Sequence, residues 1–104
     1  MVKGEIPCNK VYEDALSIAF KDINPQAPVH ILIIPKQHIS NISESDERLL
    51  LGTLLQTASL IAKQENISES GYRLIINTNK NAGQTVDHLH IHLLGGRIMK
   101  WPPG

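Results

Sequence analysis

The sequence predicts an α+β domain, a five-stranded antiparallel sheet with one long helix packed across it. Three observations predict it. Only one stretch, about Asp46 to Glu65, repeats its apolar residues at helical spacing. Short strand-like runs flank it, three before and two after, with hairpin pairs on both sides. The last run, Asp87 to Leu94, alternates His with Leu or Ile, so a strand there would put His88, His90 and His92 on one face and Leu89, Ile91 and Leu93 on the other. The helix would cover the apolar face and leave the imidazoles open.

Each element has a local reason. Lys10–Tyr12 and Leu16–Lys21 read as a hairpin turned by Glu13-Asp14-Ala15. Asp22 to Pro28 is a loop, because its two prolines and Asn-Pro step break regular structure. Val29–Ile34, β-branched and closed by Pro35, reads as a central strand. Ser43 or Ser45 is positioned to cap the helix, with Glu44, Asp46 and Glu47 expected in its first turn, where the dipole favours acid. Leu50, Leu54, Ala58 and Ile61, flanked by Leu51, Leu55 and Ala62, form its apolar face. Gly71 ends the connection to a strand at Tyr72–Asn77. A polar loop, Thr78–Val86, leads into the histidine strand, and a tail from Gly95 to Gly104 follows.

Composition narrows the class. The chain of 104 residues is one domain, 1–104, with 41% apolar residues but one Phe, two Tyr and one Trp, so aliphatic side chains build the core. A domain this small gains stability by associating, which points to an oligomer. Ten basic residues balance ten acidic ones without a basic block, which excludes duplex nucleic acid as principal ligand and leaves a nucleotide-sized phosphate open. A single cysteine, Cys8, excludes an internal disulfide and a CxxC zinc site. With no signal segment and no 18-residue apolar run, the expectation is a cytoplasmic protein that does not enter the membrane.

Three of the five histidines fall within five residues, and three chemistries fit them. They could bind metal, but His88 and His92 would lie ~13 Å apart along a strand, a poor fit to one tetrahedral ion, and a further donor such as His30 would be needed. They could be structural, each satisfied by hydrogen bonds. They could handle phosphate: a neutral imidazole attacks phosphorus while its neighbours donate to phosphoryl oxygens.

The run His88-Leu89-His90-Ile91-His92-Leu93-Leu94 resembles the signature of the histidine triad (HIT) superfamily, His-φ-His-φ-His-φ-φ with φ apolar. Gly4 to Pro7, Asp22 to His30, Ile34 to Ser40 and Ala82 to Val86 are similar to family segments, so the likeness spans nearly the whole chain. The tail Gly95 to Gly104 resembles the Hint branch, histidine triad nucleotide-binding proteins with purine nucleoside phosphoramidase activity. The resemblance implies a HIT-like sheet that dimerises into one continuous sheet, and a reaction without metal or other cofactor. His90 would attack the α-phosphorus of a purine nucleoside phosphoramidate or acyl-nucleotide, and water would then release the nucleoside monophosphate. A dinucleoside polyphosphate hydrolase and a non-catalytic nucleotide-binding regulatory module are the alternatives. By the same resemblance, His88 and His92 position the rings and contact phosphoryl oxygens, His92 helps protonate the leaving group, and His30 supports the triad through a proton relay. Asn77, Gln84 and Thr85 match the phosphate and leaving-group site. Asp22 matches the ribose-binding acid, though a turn-forming role also fits it. Phe20 and Ile23 match the base pocket, and Trp101 a tail reaching the partner subunit's site. His38 reads as structural or solvent-facing. Hint-like proteins usually carry a further Phe-x-Lys-Ile-like segment before Gly4, one wall of the base pocket. Here the chain starts at Met1-Val2-Lys3, so that wall is expected to be absent or replaced.

Overall fold

The computed structural model describes residues 9–104. Its strands are β1 (Lys10–Glu13), β2 (Ser17–Lys21), β3 (Val29–Pro35), β4 (Tyr72–Ile75) and β5 (Ile91–Gly95), with one α-helix, α1 (Arg48–Gln64). They form a single antiparallel sheet in the order β1-β2-β3-β5-β4. The expected α+β architecture is therefore what the chain adopts. The segment before Gly4, where a base-pocket wall is expected to be absent or replaced, falls outside the described residues.

Asp14 makes the β1–β2 turn. Its Oδ1 accepts from the Leu16 and Ser17 amides, both at 2.8 Å, and from the Ser17 hydroxyl. Such a side-chain-to-backbone turn is why an Asp sits there, and it leaves the buried Ser17 hydroxyl satisfied.

The helix differs from expectation at its start. Neither serine caps it: Glu47 is the N-cap residue without a side-chain bond, and no acid lies in the first turn. Asn41 instead caps a short 3-10 turn, Ile42–Glu44, by accepting from the Ser43 amide. At the other end Asn66 takes a left-handed conformation (φ 62°). The Ile67 amide returns to Ala62 O and the Asn66 amide to Lys63 O, the paired bonds of a Schellman stop.

Strand register sorts the side chains into two layers. Leu50, Leu54, Ala58, Ile61 and Ala62 of α1 pack on Ala19, Ile31, Ile33, Leu89, Ile91 and Leu93, the main core. Leu55, expected on that face, is exposed instead. On the opposite face Phe20 pairs with Leu32 and Ile18 with Ile34, and these four form a smaller apolar floor. In register with Leu32 comes His92. The helix-free face therefore carries a short apolar pavement with histidines beside it. Gly95, closing β5, lets Ile67 lie against the backbone, since a Cβ there would sit 2.5 Å from Ile67 Cδ1.

Candidate active site

The histidine run is only partly a strand. Ladder pairing begins at Ile91; His88 lies in a bend and His90 just ahead of β5. The alternation of faces survives, because Leu89, Ile91 and Leu93 all enter the helix-side core. The bend has a consequence, however. It turns the buried His88 ring toward the end of β3, with Nε2 3.1 Å from Pro35 O and Nδ1 3.2 Å from His38 Nδ1. Both ring nitrogens are thus engaged inside the protein, and neither is free for a phosphoryl oxygen. In this arrangement the His88 ring is turned toward the end of β3, away from the cavity lined by His90 and His92.

The backbone fixes the tautomers of the other rings. A carbonyl only accepts, so His90 Nδ1, 2.8 Å from His88 O, carries the proton. In the neutral ring Nε2 then holds the lone pair. His30 is set from the opposite side. The Gln26 amide donates to His30 Nδ1 at 3.0 Å, which puts the His30 proton on Nε2. That Nε2 lies 3.0 Å from His92 Nδ1 and donates to it, so neutral His92 bears its proton on Nε2. His90 and His92 meet edge to face with centroids 4.9 Å apart. Side by side stand one ring with a bare Nε2 and one with a protonated Nε2.

Burial favours neutral rings. It lowers the pKa of His92 to about 4, helped by the neighbouring His90 and His30 and opposed by Asp22. Burial also lowers His30, against the pull of Asp22. It lowers His88 as well, opposed by the Pro35 carbonyl and reinforced by His38 and His90.

A cavity of about 210 Å³ opens beside these rings. His90, His92 and Thr85 line it together with Phe20, Asp22 and Ile23 at the β2 end. Phe20 is a buried wall, whereas Ile23 is exposed at the rim. Asp22 does two jobs: Oδ1 accepts from the Asn24 amide in a tight turn, and Oδ2 lies 3.4 Å from His30 Nε2.

Besides His30 and His88, which sit behind the lining histidines, three expected site residues stand apart from this cavity. Gln84 spends its amide on the backbone, donating to Ser40 O (2.7 Å) and Val86 O (3.1 Å) while accepting from the Asn79 amide (2.8 Å). It fastens the loop rather than facing the cavity. Asn77 lies two residues past Ile75, which pairs with His92, so continuing that register puts it level with His90 without bringing it into the cavity lining. Trp101 is 81% exposed, with the Arg73 guanidinium of β4 6.0 Å from its ring centroid.

Sequence reasoning missed Leu32, Lys21 and Val86, which also line the cavity. Leu32 had a signal: it stands two residues after His30 on one strand, and so shares its face. The part played by the Gln26 backbone had none, since any residue supplies an amide.

Asp22, His30 and His92 bring three potential metal-ligand atoms within 4.8 Å of one another. The hydrogen bonds argue against an ion. His30 Nδ1 already uses its lone pair on Gln26, so binding metal through Nε2 would require a doubly deprotonated ring or loss of that bond. The trio as built does not fit a metal.

The fold and the site define an α+β protein with a histidine-lined, sheet-borne cavity. The HIT domain model matches residues 3–99, and the chain belongs to the HIT domain family. It is 50% identical to the purine nucleoside phosphoramidase of Escherichia coli over 93% of this chain and 83% of that one. It is 49% identical to adenylylsulfatase HINT1 of Arabidopsis thaliana, covering 100% of this chain and 73% of that one. A relative from Zea mays, 52% identical over 100% of this chain and 84% of its own length, is named a 14 kDa zinc-binding protein. Among solved structures, a HIT family hydrolase from Legionella pneumophila superposes with a TM-score of 0.94 at 51% identity, covering 100% and 95% of the two chains.

Proposed function

We propose that the protein is a nucleotide-binding hydrolase that cleaves phosphoramidate or acyl-nucleotide bonds at the α-phosphorus of a purine nucleotide. The observation that carries this reading is the pairing of a bare His90 Nε2 with a protonated His92 Nε2. His90 Nε2 attacks phosphorus, the bond from phosphorus to the leaving nitrogen or oxygen breaks, and His92, made imidazolium by a proton taken up with the anionic substrate, passes its Nε2 proton to that atom and returns to the neutral ring. Water then cleaves the nucleotidyl-histidine, returns a proton to His92 and releases the nucleoside monophosphate. The negative phosphate offsets the burial that otherwise holds His92 neutral. His88 holds His90 through its backbone carbonyl, and His30 holds His92.

Asp22 receives the ribose hydroxyls at the β2 end of the cavity, with Phe20 and Ile23 beside the base. Thr85 meets the phosphate. The Escherichia coli and Arabidopsis relatives, named for a phosphoramidase and an adenylylsulfatase, support a nucleotidyl substrate whose leaving group varies. The exposed Ile98 and Trp101, beside the edge strand β4, support association of two copies along that edge.

Rapid quenching with an adenosine phosphoramidate is expected to trap an adenylyl group on His90, in buffer with or without chelator. His90→Ala should lose several powers of ten in turnover, because among the described residues no other imidazole presents a free lone pair to the cavity. Full turnover by that variant sinks the mechanism, and loss of activity in chelator sinks its metal-free form.

A further inference from the structure

His38 lies outside the triad on the turn that leaves β3, and its ring is exposed. Even so, its Nδ1 stands 3.2 Å from Nδ1 of the buried His88, with the ring centroids 5.1 Å apart. Two lone pairs cannot face each other at that distance, so one of these nitrogens carries a proton. The other His88 nitrogen decides which. Nε2 lies 3.1 Å from Pro35 O, which accepts only, and therefore holds the proton of the neutral ring. His88 Nδ1 is the acceptor and His38 Nδ1–H the donor.

One turn thus grips both edges of a ring, with the Pro35 carbonyl on one side and the His38 imidazole on the other. The Leu89 amide continues the grip by donating to Ile39 O. The backbone carbonyl of the gripped residue is the group that holds the His90 Nδ1 proton. We infer that His38 is a positioning residue: it fixes the tautomer and orientation of His88 and, through the His88 carbonyl, the direction of the His90 Nε2 lone pair. This inference rests on the reading of His90 as nucleophile. Its contribution belongs to the rate of attack rather than to nucleotide binding, since neither His38 nor His88 lines the cavity beside His92.

The test compares wild type, His38→Ala and His38→Asn by nitrogen-15 spectra of the His88 ring and by kcat and KM for an adenosine phosphoramidate. In wild type the His88 ring should report a single Nε2–H tautomer. His38→Ala should lose that single state and drop kcat roughly three- to tenfold, the scale of one hydrogen bond, with KM within about twofold. His38→Asn, whose amide N–H can donate in place of the ring, should restore both. An unchanged His88 spectrum in His38→Ala overturns the inference, as does a kcat loss that His38→Asn fails to recover. The spectra are recorded without substrate, so they judge the grip on His88 even if His90→Ala disproves the nucleophile.

Discussion

His92 makes three contacts of opposite character: it accepts from His30, meets His90 edge to face, and borders the cavity. A ring with a native pKa of about 4 refuses a proton that the unfolded chain accepts near its ordinary value of about 6.5. Between those values the unfolded state binds more protons, so stability rises with pH and is lost as pH falls from about 6.5 toward about 4. His30 and His88, also lowered, add in the same direction. Glu13, held to about 2 by hydrogen bonds from Lys10 and then Lys36, loses its share only below the ordinary carboxylate range. The urea midpoint should therefore slope downward from pH 6.5 to pH 5, and the slope should be shallower in His92→Asn. Equal slopes would mean that His92 titrates normally. The residue types of this site were legible in the sequence, from the alternation itself and from the resemblance it anchors. Their tautomers were not, because those depend on the Gln26 amide and the His88 carbonyl, groups every sequence contains.

Elements were easier to place than their ends. The helix periodicity located α1 to within about two residues, yet the capping serines were misassigned, since Asn41 and a 3-10 turn intervene before the helix. The histidine strand begins three residues later than alternation indicates, because the bend at His88 serves the Pro35–His38 turn instead of a ladder. The loop from Thr78 to Val86 shows a similar exchange. Turn chemistry called for small polar residues, and the structure uses one of them, Gln84, as its fastening. Asn79 sits there with φ 66°, a conformation that costs a non-glycine residue and is held by neighbours. Gln84→Ala should loosen this loop, lowering stability by roughly 1–3 kcal/mol and speeding proteolytic cleavage between residues 78 and 86 in the free protein. If cleavage and stability stay unchanged while kcat collapses, Gln84 is a phosphate contact after all.

As a whole molecule the domain is lopsided. One face of the sheet is roofed by α1, while the other has a four-residue floor and an open cavity. One edge strand, β4, lies beside a tail whose Ile98 is 90% exposed. Analytical ultracentrifugation at micromolar concentration should give twice the chain mass, and Trp101→Ala should shift the preference among leaving groups if the tail reaches a partner's cavity. A single species at the chain mass would remove the partner's share. Size pointed to an associating domain and charge balance left a nucleotide-sized phosphate open, but that β1 and β4 are the sheet edges follows only from the strand order, which no local pattern encodes.

The bond from Gln26 to His30 closes one end of the line His30–His92 with a peptide amide, a group that neither gains nor releases a proton at working pH. The line therefore has a direction. In the proposed cycle the Gln26 amide can pass no proton to His92, so a proton that His92 gives up would return from the cavity side, through the water that ends the cycle or by way of Asp22, whose Oδ2 lies 3.4 Å from His30 Nε2. If His90 is the nucleophile proposed above, a turnover interrupted before that water arrives would leave the protein both nucleotidylated and one proton short, tying the lifetime of the intermediate to solvent access.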